Sequence, residues 1–373
     1  MRSPAPKCQY VSYRWQQRLV EYHRFDNLLA VSRYLLCKIW PKSRFSRIGD
    51  CLATMFIDGE TIDDLLRKSI ELVFADGCSI RPSKGPASEL IGLSMKLQNP
   101  RARFSRTETR ATLFSALGET LWYLSGSDEF DIIEYYIPSY RSHCNTPRDV
   151  QRSEAAYGPR LINQLQFVKS QITKPDTRKA VISIYRVEDH ANLYDVPCTC
   201  TLQFFPRSGV LHAMGQMRSN DLYMGMAHDI FAFTFFQELL ARSANLEVGA
   251  YYHQVGSLHL YEKDREKAAR YLSSGIADTI PMSDMPPGDP DRGLQWLLST
   301  ECAIRGSQPL PSTISVDPYW RDLAGILALK ALIARGTIEE MSAVRSAMSS
   351  DSFKTFITDE IARHEARKAE PGA

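Results

Sequence analysis

Residues 195–229 read DVPCTCTLQFFPRSGVLHAMGQMRSNDLYMGMAHD, and the rest of the chain is arranged around them. Leu202, Phe204 and Phe205 mark a strand, Arg207-Ser208-Gly209 a turn, and Val210 to Met217 a returning strand. Together they predict a β-hairpin. Cys198 opens it behind Pro197, and Arg218 follows it, ahead of Ser219, Asn220 and Asp221. From about Leu222 to Ala244 the chain is apolar nearly all round, which predicts a buried helix. A hairpin brings its ends together, so Cys198 and Arg218 meet. A guanidinium there favours the thiolate, the nucleophilic form of cysteine, and grips a phosphate. Taken alone, the pair fits a buried structural cysteine beside a surface arginine better.

Further patterns lie on either side. Thr61 to Phe74 predicts an amphipathic helix with Ile62, Leu65, Leu66, Ile70 and Val73 on one face. Ser79 to Ser88 reads as a loop rich in turn formers. Ala111 to Ser125 predicts a helix containing GETLWYLSG, with Glu119 among its leucines. A carboxyl in such a setting has a raised pKa and moves protons near neutrality. Asp128 to Arg160, which includes Tyr157-Gly158, reads as loop and short helix. Arg178-Lys179 opens a strand to Tyr185, and Gly249 to Tyr261 is another. Strand alternation places His259 and Tyr261 on one face. Past Pro281 a breaker-rich linker leads to helical segments near 291–304, 317–335, 337–348 and 351–367.

In this order, over roughly residues 60 to 265, these elements resemble the thymidylate synthase superfamily. The resemblance rests on Pro197-Cys198, Gln203-Phe204, Gly209, Arg218-Ser219-x-Asp221 and Gly225-x-x-x-Asp229-Ile230. It extends to Glu119-x-x-Trp122-Tyr123-Leu124-x-Gly126, Tyr157-Gly158, the basic pair Arg178-Lys179 and Gly256-Ser257-x-His259-x-Tyr261. It implies an α/β (α+β) fold with a mixed β-sheet flanked by helices, here followed by a C-terminal helical extension.

The resemblance also implies the chemistry. Cys198 adds to C6 of a pyrimidine nucleoside monophosphate and makes C5 nucleophilic, splitting one hard step into easier ones. C5 attacks the one-carbon unit of 5,10-methylenetetrahydrofolate, and tetrahydrofolate leaves an exocyclic methylene. Water adds there in a hydroxymethylase, whereas the folate donates hydride in a synthase. Glu119 organises water and proton transfers, and Tyr157 joins the proton network. Arg218 and Ser219 hold the phosphate, joined by Arg178 and Lys179 of the other subunit of a homodimer. Arg81 is the nearest candidate for the arginine that closes over the phosphate, with Lys84 second. His259 and Tyr261 bind the sugar; Asp221 and Gly225 face the folate. No metal is called for.

Asp229 decides the base. Uracil-using synthases carry asparagine at this position, and the cytidylate 5-hydroxymethylases of the superfamily carry aspartate. A protonated aspartic acid supplies the donor and acceptor that cytosine requires. Thr199 in place of histidine and Ser257 in place of aspartate also point to a divergent member. The expectation is therefore a dCMP or CMP 5-hydroxymethylase. The alternatives are a thymidylate synthase acting on dUMP, and a non-catalytic homologue working through its appended ends.

Composition agrees with an enzyme of small molecules. With 45 Lys/Arg against 43 Asp/Glu in 373 residues, the net charge of +2 makes no general case for nucleic acid. No apolar run is long enough to span a membrane. The eight cysteines are scattered, which predicts reduced thiols in a cytoplasmic protein. Residues 1–54 differ, with ten basic and three acidic residues, a local charge of +7. They read as a basic extension: an over-extended start before Met55, an accessory segment or a targeting leader. The expected layout is this extension, a catalytic domain over 55–285 and a helical extension over 286–373.

Overall fold

The computed structural model describes residues 56–105, 113–274, 280–313, 315–335 and 337–369. Its first elements are β1 (Phe56–Gly59), α1 (Ile62–Asp76), β2 (Cys78–Ile80) and β3 (Ala87–Leu97). Helices α2 (Leu113–Ser125), α3 (Phe130–Tyr136), α4 (Tyr140–His143) and α5 (Tyr157–Ile172) follow. The short β4 (Val181–Ser183) precedes the hairpin of β5 (Thr199–Arg207) and β6 (Val210–Asp221). Then come α6 (Met226–Ser243), β7 (Glu247–Tyr261) and α7 (Arg265–Ser273). Helices α8 (Asp291–Arg305), α9 (Pro318–Arg335), α10 (Ile338–Ala347) and α11 (Asp351–Ala369) follow.

The strands form one mixed sheet in the order β1-β3-β7-β6-β5-β4, with β2 also on β3. β1 with β3 and β6 with β7 run parallel; the other pairs are antiparallel. The hairpin turns at Ser208 and Gly209, where φ is 49° and 82°. Two consecutive left-handed residues match the twist of the flanking strands. Helix α6 lies against β6, β7 and α2. It buries Ile230, Phe231, Phe233, Phe235, Phe236, Leu239 and Leu240, as its apolar sequence predicts. Each such side chain contributes about 1.5–3 kcal/mol when fully buried. The helix starts at Met226, because Asp221 Oδ1 accepts the backbone N–H groups of Tyr223 and Met224 and holds that stretch in a turn.

Helix α1 begins with a capping box between Thr61 and Asp64 and buries all five predicted apolar positions. Helix α2 packs closely on α3: a β-carbon at Gly118 would collide with the Tyr136 ring. On its other side α2 receives α9, so the C-terminal helices brace the helix that carries Glu119. The predicted loop over Ser79 to Ser88 includes the end of β2 and the start of β3, and the strand expected to Tyr185 is limited to Val181–Ser183. The extension 1–54, the alternative start at Met55 and the expected helix positions Ala111 and Thr112 lie outside the described residues. Cys144, Cys198, Cys200 and Cys302 are free thiols.

Candidate active site

A cavity of about 520 Å³ opens where the hairpin meets α6, a size suited to a small-molecule ligand. Cys198 reaches it from the segment before β5; Arg218, Ser219 and Asp221 reach it from the end of β6. Gly225 and Asp229 line it from the start of α6, Glu119 from α2, Tyr157 from α5, and His259 and Tyr261 from β7. Arg81, Arg178 and Lys179 are exposed and lie outside this lining, whereas Lys84 is part of it.

Arg218 ties the cysteine segment down. Its backbone N–H donates to the Cys198 carbonyl at 2.8 Å. Its Nε donates to Pro197 O at 2.9 Å and its Nη2 to Val196 O at 2.7 Å. The guanidinium favours the thiolate, as the sequence predicts, but burial outweighs it. With Asp229 and Asp195 adding to the effect, the Cys198 thiol is pushed up to about 11. In the free protein Cys198 is therefore a thiol at neutral pH.

The two carboxyl oxygens of Glu119 are held separately. Tyr123 donates its hydroxyl to Oε1 at 2.7 Å, and His228 Nδ1 lies 2.9 Å from Oε2. His228 Nε2 is 3.3 Å from Ser115 Oγ. Tyr123 stacks on Tyr157 at 4.9 Å. The Tyr157 hydroxyl accepts both the backbone N–H and the hydroxyl of the buried Thr199, each at 3.1 Å. Thr199 thus anchors Tyr157 beside Cys198.

Asp229 sits one residue past His228, with Asn220 Nδ2 donating to its Oδ2 at 2.8 Å. Burial above all, then the nearby charge of Glu119, holds the Asp229 carboxyl well above the usual range, although the Asn220 hydrogen bond opposes this. Behind Asn220, His253 Nε2 lies 2.9 Å from its Oδ1, and Tyr251 Oη lies 2.9 Å from His253 Nδ1. His259 and Tyr261 meet edge to face at 4.9 Å, on one face as predicted. Ser257 instead donates to Glu89 on β3.

The sequence assigns no role in the site to Tyr123, His228, Asn220, Tyr251 or His253. One signal was present: His228 interrupts an otherwise apolar helix beside a candidate residue. Among the described residues no group of three or more His, Cys, Asp or Glu is placed to hold a metal ion. No described helix is long and apolar enough to cross a membrane.

Comparison with known proteins gives one family. A family model described as thymidylate synthase matches residues 81–285, more than half of the chain. The curated relatives are distant. Thymidylate synthase of Listeria monocytogenes serotype 4a (strain HCC23) is 29% identical over 126 residues, covering 34% of this chain and 39% of the relative. That of Coxiella burnetii (strain Dugway 5J108-111) is 26% identical over 171 residues, covering 46% and 61%. The matched stretches therefore span between about two fifths and three fifths of those relatives.

Proposed function

The chain belongs to the thymidylate synthase family, and on that premise we propose that it is a hydroxymethyltransferase. It converts dCMP or CMP to the 5-hydroxymethyl derivative with methylenetetrahydrofolate and water. The observation that carries this reading is the half-buried Asp229, whose carboxyl is held above the usual range and paired through Oδ2 with Asn220 in the cavity that Cys198 lines. Addition of a thiolate to C6 of cytosine drives electron density through C5 and C4 onto N3. That nitrogen has no proton of its own, so an acid must supply one. Asp229 does so while its other oxygen accepts from the 4-amino group. In uracil the density falls on O4 instead, and N3 already carries a proton.

In this mechanism Cys198 loses its thiol proton as its sulfur bonds to C6. C5 then bonds to the one-carbon unit that methylenetetrahydrofolate would supply, and loss of the C5 proton to solvent accompanies cleavage of the carbon–nitrogen bond, so that tetrahydrofolate leaves. Water adds its oxygen to the resulting exocyclic methylene as the C6–sulfur bond breaks, so the product is the substrate plus CH₂O. Glu119, fixed by Tyr123 and His228, orients that water and accepts its proton. Arg218, Ser219 and Lys84 take the phosphate and His259 and Tyr261 the sugar. The mouth fits a flat folate: Leu193 and Met224, both cavity-lining, are 79% and 43% exposed, beside Asp221 and Gly225. Residues 55–285 form the catalytic part, and 286–373 support it through α2.

A specific result is expected at His228. His228→Asn leaves Glu119 Oε2 without its imidazole partner, so turnover falls roughly 10- to 100-fold with little change in KM, the size expected when a proton-handling group is mispositioned. Steady-state kinetics at saturating folate check this; an unchanged kcat removes His228 from the reaction.

Arg178 and Lys179, exposed beside β4, act in this reading on the phosphate of a second copy. Neither a Cys198→Ala chain nor an Arg178→Ala/Lys179→Ala chain works alone. Refolded together in equal amounts they regain about a quarter of native activity, because half the dimers are mixed and each mixed dimer has one intact site. No recovery on mixing means that the two basic residues do not act across subunits, and full activity of the Arg178→Ala/Lys179→Ala chain alone places them outside the site.

The reading is tested by release of tritium from the 5-position of dCMP, CMP and dUMP, followed together with product mass and dihydrofolate. Release from a cytidylate, a product heavier by CH₂O and no dihydrofolate are expected. The names of the relatives favour a second reading, methylation of dUMP; release from dUMP alone, with dihydrofolate formed, would establish it.

A further inference from the structure

Behind Asp229 and its partner Asn220 runs a chain of buried polar groups, and none of the roles above uses its inner members, His253 and Tyr251. Tyr251 and His253 are fully buried, and Asn220 is 3% exposed. Polar groups so deep in the protein are costly unless each finds a partner. Here each does, in one direction. Asn220 donates through Nδ2 to Asp229 Oδ2, so its Oδ1 is left to accept. His253 Nε2, 2.9 Å from that oxygen, must then carry the ring proton. His253 Nδ1 is left as an acceptor for the Tyr251 hydroxyl. Burial holds the His253 ring down to about 3, so it stays neutral and has just one ring proton to place. Room for the hydroxyl depends on Gly215, where a β-carbon would collide with it.

We propose that Tyr251, His253 and Asn220 are positioning residues that fix which oxygen of Asp229 carries the proton, and so select the pyrimidine. This rests on the reading that Asp229 faces the base. With Asn220 donating to Oδ2, that oxygen is an acceptor. The proton resides on Oδ1, which has no partner among the described residues and is left for a ligand. The side chain then offers one donor and one acceptor, in the arrangement that fits N3 and the 4-amino group of cytosine. Run in reverse, the same chain would have Asn220 accept a proton from Oδ2. Asp229 would then turn an acceptor towards N3, which fits N3–H of uracil. Selectivity thus depends on the polarity of the whole chain as well as on the residue at 229.

The decisive measurement needs no substrate. In full-length protein carrying ¹⁵N-histidine, with the His253 signal assigned by His253→Gln, ring nitrogen shifts report the tautomer. A neutral ring protonated at Nε2 is expected across roughly pH 5 to 8; protonation at Nδ1 overturns the proposal. A second variant, Tyr251→Phe, keeps the ring volume and removes only the terminal hydroxyl. The proposal expects a folded protein that melts somewhat lower, a mixture of His253 tautomers, and a ratio of cytidylate to uridylate tritium release lowered roughly tenfold, about one hydrogen bond's worth of discrimination. A ratio unchanged from native in the folded variant reduces the three residues to packing. Should the native protein release tritium from dUMP alone, the cytidylate reading fails, while the tautomer still decides whether the chain has this polarity.

Discussion

Cys198→Ala is expected to lower tritium release from the 5-position of a cytidylate by at least about 10⁴-fold, to the limit of detection. That is the order by which losing a nucleophile slows a covalent mechanism. The reaction has no second route, because C5 becomes nucleophilic only after C6 has been attacked. Cys198 is only partly buried, and its contacts to Arg218 run through backbone carbonyls. Removing the sulfur should therefore leave the fold and the binding of nucleotide intact, which circular dichroism and equilibrium dialysis check. Retained tritium release in a folded Cys198→Ala protein would falsify the covalent mechanism. Reactivity of the free protein should follow the same chemistry. With the thiol pushed up to about 11, alkylation of Cys198 by iodoacetamide is slow at neutral pH and accelerates as the solution is made alkaline. The thiolate forms during reaction, the thiol proton passing to solvent as sulfur bonds to C6, and is not the resting form of Cys198.

The same numbers explain what the sequence concealed. Cys198, Arg218 and Asp229 were legible because they sit within one local hairpin-and-helix unit, whose turn at Ser208-Gly209 and apolar run declare themselves. That Arg218 would lose to burial at the thiol was not legible, since burial belongs to the whole fold. Strand β3 was missed because Gly92 interrupts it, with φ 77° and no partner in the register with β7. A glycine inside a strand reads as a break, yet here the register with β7 continues unshifted on either side of it. Helix α5 was missed because Gly158-Pro159 reads as a stop. Pro159 stands in its first turn, where a missing N–H forfeits no helical hydrogen bond. Tyr251 and His253 showed only the alternation of any buried strand, and their partner Asn220 comes from β6, over thirty residues earlier. Such a pairing follows from parallel strand register, which a single sequence does not disclose.

Asp229→Asn is the substitution expected to change the substrate. Cytidylate turnover falls on the order of 10²–10⁴-fold, the usual contribution of a positioned acid, because an amide has no proton to give N3. The loss should appear in kcat more than in KM, since the amide still offers one donor and one acceptor to the ring. Uridylate turnover rises from a low level, because the amide NH₂ stabilises charge on O4 once it is turned that way. The pH dependence carries the same sign. In the native protein the acid form of Asp229 is the active one, and burial and Glu119 hold its pKa up. Cytidylate turnover is therefore lost as pH rises through that raised pKa, at a higher pH than an ordinary carboxyl would allow. In Asp229→Asn this alkaline loss disappears. Turning the amide towards uracil sets its NH₂ against the NH₂ of Asn220, so Asn220 must turn as well, and the proton on His253 must move to Nδ1. Tyr251 opposes that move as long as its hydroxyl donates to the same nitrogen. Uridylate turnover should consequently be higher in the double variant Asp229→Asn/Tyr251→Phe than in Asp229→Asn alone, a coupling that residues acting independently would not give. Equal uridylate turnover in the two proteins would show that the base is read at position 229 alone.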